Sequence, residues 1–423
     1  MKVVIIGNGI AGINVAQALR NAEAKGSPCA EPLSIEVFAA EAHPFYSRIR
    51  LPEVLSGETD PDGIVFYKPD WYEKKAIAVR TGCPISSVDA DSRRVTLLDG
   101  SSVPYDRLVL ATGSFANHPP IPGSRLPGVF TLRTMDDAKA IRENAKAHPA
   151  SASVIGGGLL GLEAARALKD AGVAEVRVFE IFARLLPRQL DETGAAMLKA
   201  RFLAQGIEVV TSAETAEFPA AADGSNRAGF VRLKDGREFP SDTTVLSMGV
   251  KPNVELASSI GLAINRGIVV DSSMRTSDPY IYAVGDCAEF QGVVWGIIPA
   301  ALEQAPVAAR AILASCGMLP ETEATPYAQT VPKTSLKVAD VELLSMGKAI
   351  LSPEEEASGS FETLSRALPD EGRYEKYVLS RGEGDTLTLV GAIVYGFKKH
   401  QAIAQKLMGK PVTRAEIEGL LDE

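Results

Sequence analysis

The stretch KVVIIGNGIAGINVAQALR, residues 2–20, decides the fold. A short β-branched run leads into Gly7, Gly9 and Gly12, in the spacing G-x-G-x-x-G, and an Ala/Leu-rich helical stretch follows. In such a strand–turn–helix segment the first glycine permits a tight turn, the second lets the backbone approach a pyrophosphate, and the third lets the helix pack on the strand. The helix N-terminus adds unpaired N–H groups and a partial positive charge. This first glycine motif therefore predicts a dinucleotide site.

A second stretch, ASVIGGGLLGLEAARAL at residues 152–168, repeats the pattern with Gly156, Gly158 and Gly161. One such motif is weak evidence, but a duplicated motif in the strand–turn–helix context indicates two nucleotide sites. We therefore predict an α/β fold with two Rossmann-like, three-layer nucleotide-binding domains.

Each site of this type uses an acidic residue at the end of its second strand to accept hydrogen bonds from a ribose. In the first site that strand is predicted at residues 34–38, and Glu41 is the candidate. Glu41 comes later than the usual spacing of about 20 residues, which a lengthened loop at residues 25–32 would explain. A role as a surface acid stays open for Glu41.

In the second site the predicted strand, residues 175–179, ends at Glu180. A carboxylate there favours a free 2′-hydroxyl and repels a 2′-phosphate, so we predict NADH over NADPH. Arg184 lies nearby, where a cation could accommodate the phosphate, but we expect a solvated side chain. Glu163 stands two residues after Gly161. It either complements the helix dipole or lies beside the reacting rings, and both interpretations stay open.

Composition narrows the functional class. The chain has 423 residues, which suggests two or three domains, and a net charge of −9, which argues against a nucleic-acid binder. Its four cysteines are scattered and form no C-x-x-C pair, so a disulfide framework, a metal site and an adjacent redox dithiol are not expected. Without a signal-peptide pattern or a long apolar span, we expect a cytoplasmic protein.

Three further motifs occur in the chain: YDRLVLATGS at 105–114, between the two glycine motifs, and then VLSMGVKPN at 245–253 and IYAVGDCA at 281–288. After Pro320 the pattern changes to strands with hairpin turns and a closing helix near 398–408, which indicates a separate α+β domain.

Together with the two glycine motifs, these segments resemble the pyridine nucleotide-disulfide oxidoreductase superfamily of two-dinucleotide flavoproteins. The stretch FYSRIRLPEVLSGE, residues 45–58, is similar to the matching segment of NADH–rubredoxin oxidoreductases and of the FAD/NAD part of assimilatory nitrite reductases. Disulfide-reducing members carry cysteines in this segment, and this chain has none there.

The resemblance implies three domains: an FAD-binding domain from residues 1–120 and 253–322, an NAD(H)-binding domain from 121–252, and a C-terminal α+β interface domain from 323–423. It implies FAD and NADH as cofactors, and no metal. Glu163 is the expected catalytic residue. The expected cofactor-binding residues are Gly7, Gly9, Ile10, Ala11, Gly12, Glu41, Arg48, Pro84, Ala111, Thr112, Gly113, Gly156, Gly158, Leu159, Leu160, Gly161, Glu180, Gly249, Gly285, Asp286, Ile298 and Pro299.

The activity implied is transfer of electrons from NADH through FAD, without a redox dithiol, to a small redox protein such as rubredoxin. Two alternatives remain: an NADH oxidase or small-molecule reductase, and an NADH-sensing flavoprotein that regulates a binding partner. We expect no nucleic-acid or membrane partner, and a monomer or homodimer. Trp295 either covers the flavin or fills the core.

Overall fold

The computed structural model describes residues 1–23, 33–331, 333–338, 341–382 and 386–422. The predicted lengthened loop at 25–32 lies outside these residues. The chain forms two compact units. Unit 1 comprises Met1–Arg48, Pro61–Ala116 and Gly249–Thr330, and unit 2 comprises Ile49–Asp60, Asn117–Met248 and Val331–Glu423.

The strands are β1 Lys2–Ile6, β2 Ser34–Phe38, β3 Ile77–Arg80, β4 Ile85–Asp89, β5 Arg94–Leu97, β6 Ser102–Pro104, β7 Arg107–Leu110, β8 Ser114–Ala116, β9 Val129–Thr131, β10 Ser151–Ile155, β11 Glu175–Phe179, β12 Ile207–Val210, β13 Thr215–Glu217, β14 Phe230–Leu233, β15 Glu238–Pro240, β16 Thr243–Leu246, β17 Val250–Pro252, β18 Ile268–Val270, β19 Ile281–Ala283, β20 Ala288–Phe290, β21 Lys333–Val338, β22 Val341–Gly347, β23 Phe361–Leu368, β24 Arg373–Arg381, β25 Leu387–Tyr395 and β26 Pro411–Val412.

The α-helices are α1 Ile10–Glu23, α2 Leu51–Ser56, α3 Pro69–Lys74, α4 Met135–Ala147, α5 Leu159–Asp170, α6 Glu192–Ala204, α7 Glu255–Ser259, α8 Ile298–Ala314, α9 Pro353–Ala357, α10 Lys398–Leu407 and α11 Arg414–Asp422. Short 3₁₀ turns occur at Arg48–Arg50, Pro61–Ile64, Gly285–Cys287, Glu321–Glu323 and Pro369–Glu371.

Unit 1 is built on a parallel five-stranded sheet in the order β19-β7-β1-β2-β3. Val3, Val4 and Ile5 of the central strand β1 are fully buried, as expected for a parallel strand covered on both faces. Helices α1 and α8 pack against each other beside this sheet. The chain leaves unit 1 after β8 and re-enters it at β17, and these two strands pair antiparallel.

Unit 2 contains a second parallel sheet with the same kind of order, β12-β11-β10-β16-β9. Its central strand β10 is buried along its whole length, and α5 packs against β10 and β11. The carboxyl end of each central strand leads directly into one of the two glycine motifs, as the sequence pattern predicts.

The C-terminal part of unit 2 forms an antiparallel sheet in the order β21-β22-β25-β24-β23, with β26 paired to β25. Leu379, Leu389 and Ala392 of the sheet and Ala404 of α10 belong to its buried core, and α10 and α11 pack against β25 and β23. The predicted fold class, two Rossmann-like sheets with a small α+β domain, is confirmed. The predicted domain boundaries stay a prediction.

Candidate dinucleotide sites

The three glycines of the first motif differ in what surrounds them. Gly7 has a φ of +116°, and a Cβ there would lie 2.1 Å from the carbonyl oxygen of Ala111. A Cβ on Gly12 would lie 1.9 Å from the carbonyl oxygen of Gly7. Gly9 has no heavy atom within 4 Å of its Cβ position. The first and third glycines are therefore required by backbone contacts, whereas the second faces open space that a ligand can fill.

The second glycine motif repeats this arrangement. Gly156 has a φ of +115°, and a Cβ there would meet the carbonyl oxygen of Ser247 at 2.2 Å. A Cβ on Gly161 would meet the carbonyl oxygen of Gly156 at 2.1 Å, and Gly158 has open space around its Cβ position. In each motif a helix begins directly after the open glycine, at Ile10–Ala11 and at Leu159–Leu160. The amides of its first turn are thus available to a phosphate.

Several predicted residues converge around the first glycine motif. Gly285 has a φ of +77°, and a Cβ there would lie 2.8 Å from the Cβ of Ala11. Its N–H donates to Oε1 of Gln304 on α8, at 2.7 Å. The hydroxyl of Ser114 donates to Oδ2 of Asp286 at 2.7 Å. The structure therefore brings the 285–286 turn and the start of α1 together.

The loop after β7 completes this edge of the sheet. The N–H of Ala111 donates to the carbonyl oxygen of Ile6. The hydroxyl of Thr112 donates to the carbonyl oxygen of Asn253 at 2.7 Å, and the N–H of Asn253 donates to Gly113. Gly249, at a φ of +83°, stands just before β17 with open space at its Cβ position.

Glu41 and Arg48 come together after the carboxyl end of β2, and Pro84 follows a turn that is bonded to Glu41. The carboxylate of Glu41 accepts a hydrogen bond from the hydroxyl of Tyr46 at 2.5 Å and forms an ion pair with Arg48. The N–H of Gly82 donates to the carbonyl oxygen of Glu41, which fixes the turn that leads to the half-buried Pro84. Both charged side chains are only half-buried and so remain accessible to a ligand.

An aromatic cluster beside the first glycine motif has no counterpart in the predicted set. The rings of Tyr67 and Trp71 stack with centroids 3.7 Å apart, and Phe45 and Tyr72 pack against them. The side-chain amide of Asn8 donates to the hydroxyl of Tyr72 at 3.3 Å. The aromatic-rich sequence VFYKPDWY, residues 65–72, is the signal that could have indicated this cluster.

Helix α8 begins at Ile298 with Pro299 in its first turn. The preceding residue, Ile297, has no polar side chain with which to cap the helix, so its first N–H groups depend on other partners. Trp295 is half-buried, and its Nε1–H is buried without a hydrogen-bond partner among the described residues. A buried unpaired donor is costly and indicates a site that another group completes.

Glu180 at the second site is 5% exposed and its carboxylate is oriented by the backbone. Oε2 accepts a hydrogen bond from the N–H of Gly157 at 2.7 Å, and Oε1 accepts one from the N–H of Phe182 at 2.9 Å. Two lone-pair positions remain for a ribose. The apolar side chains of Ile181 and Phe182, next in the chain, are more than half exposed, and no sequence motif predicted this exposure.

Arg184 is not the solvated cation that the sequence suggested. Its Nε donates to the carbonyl oxygen of Leu190 at 3.1 Å, and a second guanidinium N–H donates to that of Pro187 at 3.4 Å. The side chain therefore fastens the loop after β11.

Glu163 is the fifth residue of α5, just beyond its first turn, and is half-buried. Burial raises the pKa of its carboxyl group to about 7. Such a group exchanges a proton near neutral pH, which is a property of catalytic acids and bases.

Cys287 differs, because it is fully buried, and burial raises the pKa of its thiol. Its Sγ donates to the carbonyl oxygens of Leu110 and Val284, so it is a packed residue and not a thiolate nucleophile at neutral pH.

The residues present fit two dinucleotides. Each glycine motif leaves its middle glycine open, and the first also holds a buried Oδ1 of Asn8 that has no partner among the described residues. Among the residues that the structure describes, no group of three or more His, Cys, Asp or Glu side chains could hold a metal ion. No helix in the same residues is long and apolar enough to cross a membrane.

Comparisons with known proteins agree with this geometry. The family model described as pyridine nucleotide-disulphide oxidoreductase matches residues 1–311, and the one described as rubredoxin NAD+ reductase C-terminal domain matches residues 332–411.

Among relatives, the nitrite reductase [NAD(P)H] of Bacillus subtilis is 36% identical over 395 residues, covering 93% of this chain and 45% of that protein. The NADH-rubredoxin oxidoreductase of Clostridium acetobutylicum is 32% identical over 403 residues, covering 95% of this chain and 94% of that one. The solved ferredoxin reductase for the CYP199A2 system of Rhodopseudomonas palustris is 29% identical with a TM-score of 0.81, covering 97% and 96% of the two chains. The chain spans less than half the length of several curated relatives that it matches.

Proposed function

Because the chain belongs to the pyridine nucleotide-disulphide oxidoreductase family, we propose that it is an FAD-dependent NADH oxidoreductase that passes electrons to a small redox protein of the rubredoxin kind. The predicted cofactors, FAD and NADH, are those of this family, and that prediction is confirmed. The proposed location is the cytoplasm.

The observation that carries the proposal is the pair of glycine motifs. Each follows the central strand of its own parallel sheet, and each is closed by backbone at its first and third glycines and open at its second. Two such motifs on two separate sheets support two dinucleotides held at once, which a hydride transfer between them requires.

When bound, FAD supplies the chemistry of accepting a hydride from NADH and releasing electrons singly. The chain's own residues bind and orient. In unit 1, we assign the FAD diphosphate to the turn at Gly9, the ribose and phosphates to Glu41 and Arg48, and the ribityl region to Asp286.

In unit 2, we assign the NADH diphosphate to the turn at Gly158 and the adenosine ribose to Glu180. Glu163 is the group assigned to hold or release a proton near the reacting rings. Its pKa of about 7 lets both protonation states occur under working conditions.

The proposed acceptor rests on the C-terminal domain. Residues 332–411 match the C-terminal domain of rubredoxin NAD+ reductases, and a relative named NADH-rubredoxin oxidoreductase covers nearly the whole chain. Since Cys287 is buried with a raised thiol pKa, it does not serve as an internal electron store.

Stopped-flow mixing tests the proposal. The FAD-loaded protein is reduced with NADH without oxygen and then mixed with rubredoxin, with ferredoxin, or with aerated buffer. We expect rapid one-electron reduction of rubredoxin and slow oxidation by oxygen. Oxidation of the reduced flavin by oxygen alone would support an NADH oxidase. A long-lived reduced flavin together with a change in oligomeric state would support the NADH-sensing alternative.

One observation favours a second acceptor class. The nitrite reductase relative matches 93% of this chain with an identity above that of the rubredoxin-linked relative. A solved ferredoxin reductase also covers 97% of this chain, so the chain also suits an NADH-oxidising module that passes electrons to a ferredoxin. Faster discharge to ferredoxin than to rubredoxin in the same experiment would favour this second function.

A further inference from the structure

Asp191 joins two parts of unit 2 that are far apart in sequence. Its Oδ1 accepts a hydrogen bond from the N–H of Gly194 at 3.1 Å and so caps α6. Its Oδ2 accepts a hydrogen bond from the hydroxyl of Tyr374 and lies 3.3 Å from the Nζ of Lys376. Both partners are on strand β24 of the C-terminal domain.

The joint, which is formed by Asp191, Tyr374 and Lys376, is enclosed. Tyr374 is 4% exposed and Lys376 is 8% exposed. A Cβ on Gly194 would meet Cδ1 of Tyr374 at 3.4 Å and Cδ2 of Leu190 at 3.0 Å, so the tyrosine ring covers the first turn of α6. Burial, with the Asp191 carboxylate beside it, raises the pKa of the Tyr374 hydroxyl, which therefore stays a donor at neutral pH.

Asp191 also directly follows the loop that begins after Glu180. This loop, residues 181–190, is fastened to the second glycine motif at its near end, because Glu180 accepts from the N–H of Gly157 and the N–H of Leu186 donates to the carbonyl oxygen of Gly157 at 3.3 Å. At its far end the carbonyl oxygen of Leu190 accepts from Arg184. Leu190 is fully buried.

Hydrogen bonds thus run from β24 through Asp191 and the 181–190 loop to the turn at Gly157. We propose that Asp191 is a positioning residue for the nicotinamide nucleotide, through which Tyr374 and Lys376 of the C-terminal domain set the conformation of the loop at the nucleotide site. This inference rests on the proposed binding of NADH by unit 2.

The charges of Asp191 and Lys376 explain why the two residues should move together. An almost buried lysine requires a carboxylate partner, since removing one member of such a pair leaves the other uncompensated. A displacement of β24 therefore draws Asp191 with it or leaves Lys376 unpaired. Coupling of this kind is reciprocal, so a partner that docks on the C-terminal domain and moves β24 changes the affinity for NADH, and NADH changes the affinity for that partner.

Tyr374→Phe tests the joint, and the same strand offers a matched control. Tyr377 is also a buried tyrosine of β24, and its hydroxyl also donates to a carboxylate, that of Glu375, at 3.3 Å. Alternate residues of a strand face opposite sides, and Tyr377 packs in the core of the C-terminal domain. Tyr377→Phe thus removes an equivalent hydroxyl without touching Asp191.

Both variants are compared with the wild type as FAD-loaded enzymes, by calorimetric titration with NAD+ and by steady-state kinetics. For Tyr374→Phe we expect the Kd for NAD+ and the KM for NADH to rise about threefold or more, with kcat and the flavin spectrum unchanged. For Tyr377→Phe we expect neither to change. Equal shifts in both variants, or none in Tyr374→Phe, would overturn the proposal.

Asp191→Asn supplies an independent arm if Tyr374→Phe folds poorly. Asparagine still caps a helix but leaves the nearly buried Lys376 without its carboxylate, so a rise in Kd at least as large is expected, and the effects of the two substitutions should not add. Additive effects would contradict the joint. A wild-type enzyme that keeps its flavin yet binds no NAD+ would overturn the proposed function itself.

Discussion

Among single residues, Glu163 carries the clearest dependence on pH. Burial raises its pKa to about 7, so the carboxyl is neutral below that pH and negatively charged above it. If Glu163 lies beside the reacting rings, as the family resemblance implies, its charge opposes the arrival of a hydride. We expect the rate of flavin reduction by NADH to fall as the pH rises through about 7.

The matching variant is Glu163→Gln, which stays neutral at every pH. Stopped-flow reduction measured from pH 5.5 to 8.5 should give a flat profile for it, near the low-pH rate of the wild type. If the wild type and Glu163→Gln showed the same transition with pH, the titrating proton would belong to another group. Glu163 would then only complement the helix dipole.

We expect Glu180 to set which nicotinamide nucleotide is preferred. Its carboxylate is held in place by the N–H groups of Gly157 and Phe182, and there it would repel a 2′-phosphate. We expect Glu180→Ala to lower the preference for NADH over NADPH about tenfold, the effect of roughly 1.4 kcal/mol. Ratios of kcat/KM for the two nucleotides measure this preference.

Glu175→Ala is the control, since Glu175 begins the same strand and forms an exposed ion pair with Arg177. It should leave the nucleotide preference unchanged. An unaltered preference in Glu180→Ala would show that discrimination lies elsewhere.

Among the elements, β25 has one position that admits no side chain. A Cβ on Gly391 would lie 2.1 Å from the carbonyl oxygen of Lys348, and the register of β24 and β25 shifts nearby. Gly391→Ala should therefore lower the free energy of unfolding of the C-terminal sheet by about 3 kcal/mol. Gly419→Ala in α11, where the Cβ meets nothing, should be neutral or slightly stabilising.

Limited proteolysis distinguishes the two variants. The C-terminal domain of Gly391→Ala should be cleaved faster than that of the wild type while the flavin absorbance is retained. Equal cleavage rates in both variants would mean that the β25 backbone moves to accommodate the methyl group.

Local elements were predictable because their signals are local. The predicted second strands at 34–38 and 175–179 are confirmed as β2 and β11, since a β-branched run bounded by turn residues is readable within a few positions. The contacts of Asn8 with Tyr72 and of Asp191 with Tyr374 span 64 and 183 residues. No short pattern encodes such pairs, and Arg184 was misjudged for the same reason, because its carbonyl partners exist only in the folded loop.

For the whole molecule, the five ordered motifs identified the family, and the match over residues 1–311 confirms that resemblance. The assignments of individual residues to cofactors, and the domain boundaries, stay predictions. They can be tested because the two glycine motifs are alike in geometry but belong to different units.

Gly9→Ala and Gly158→Ala form a matched pair, since each adds one methyl group to the space assigned to a diphosphate. We expect Gly9→Ala to purify with little flavin but a normal circular dichroism spectrum. We expect Gly158→Ala to stay yellow while its KM for NADH rises about tenfold or more. The absorbance ratio at 450 and 280 nm and steady-state kinetics measure both.

The opposite pattern, with flavin lost only from Gly158→Ala, would exchange the two cofactor assignments. Equal flavin content and unchanged kinetics in both variants would remove the diphosphates from these turns altogether.

The pairing of β8 with β17 has a practical consequence. The chain leaves unit 1 at Ala116 and returns at Gly249, and these two crossing points are held side by side by an antiparallel ladder between Ser114–Ala116 and Val250–Pro252. Everything between them is thus an insertion whose entrance and exit are adjacent. Protein engineers could splice a foreign donor-binding module between these two strands, and the parent fold would still receive both chain ends where it needs them.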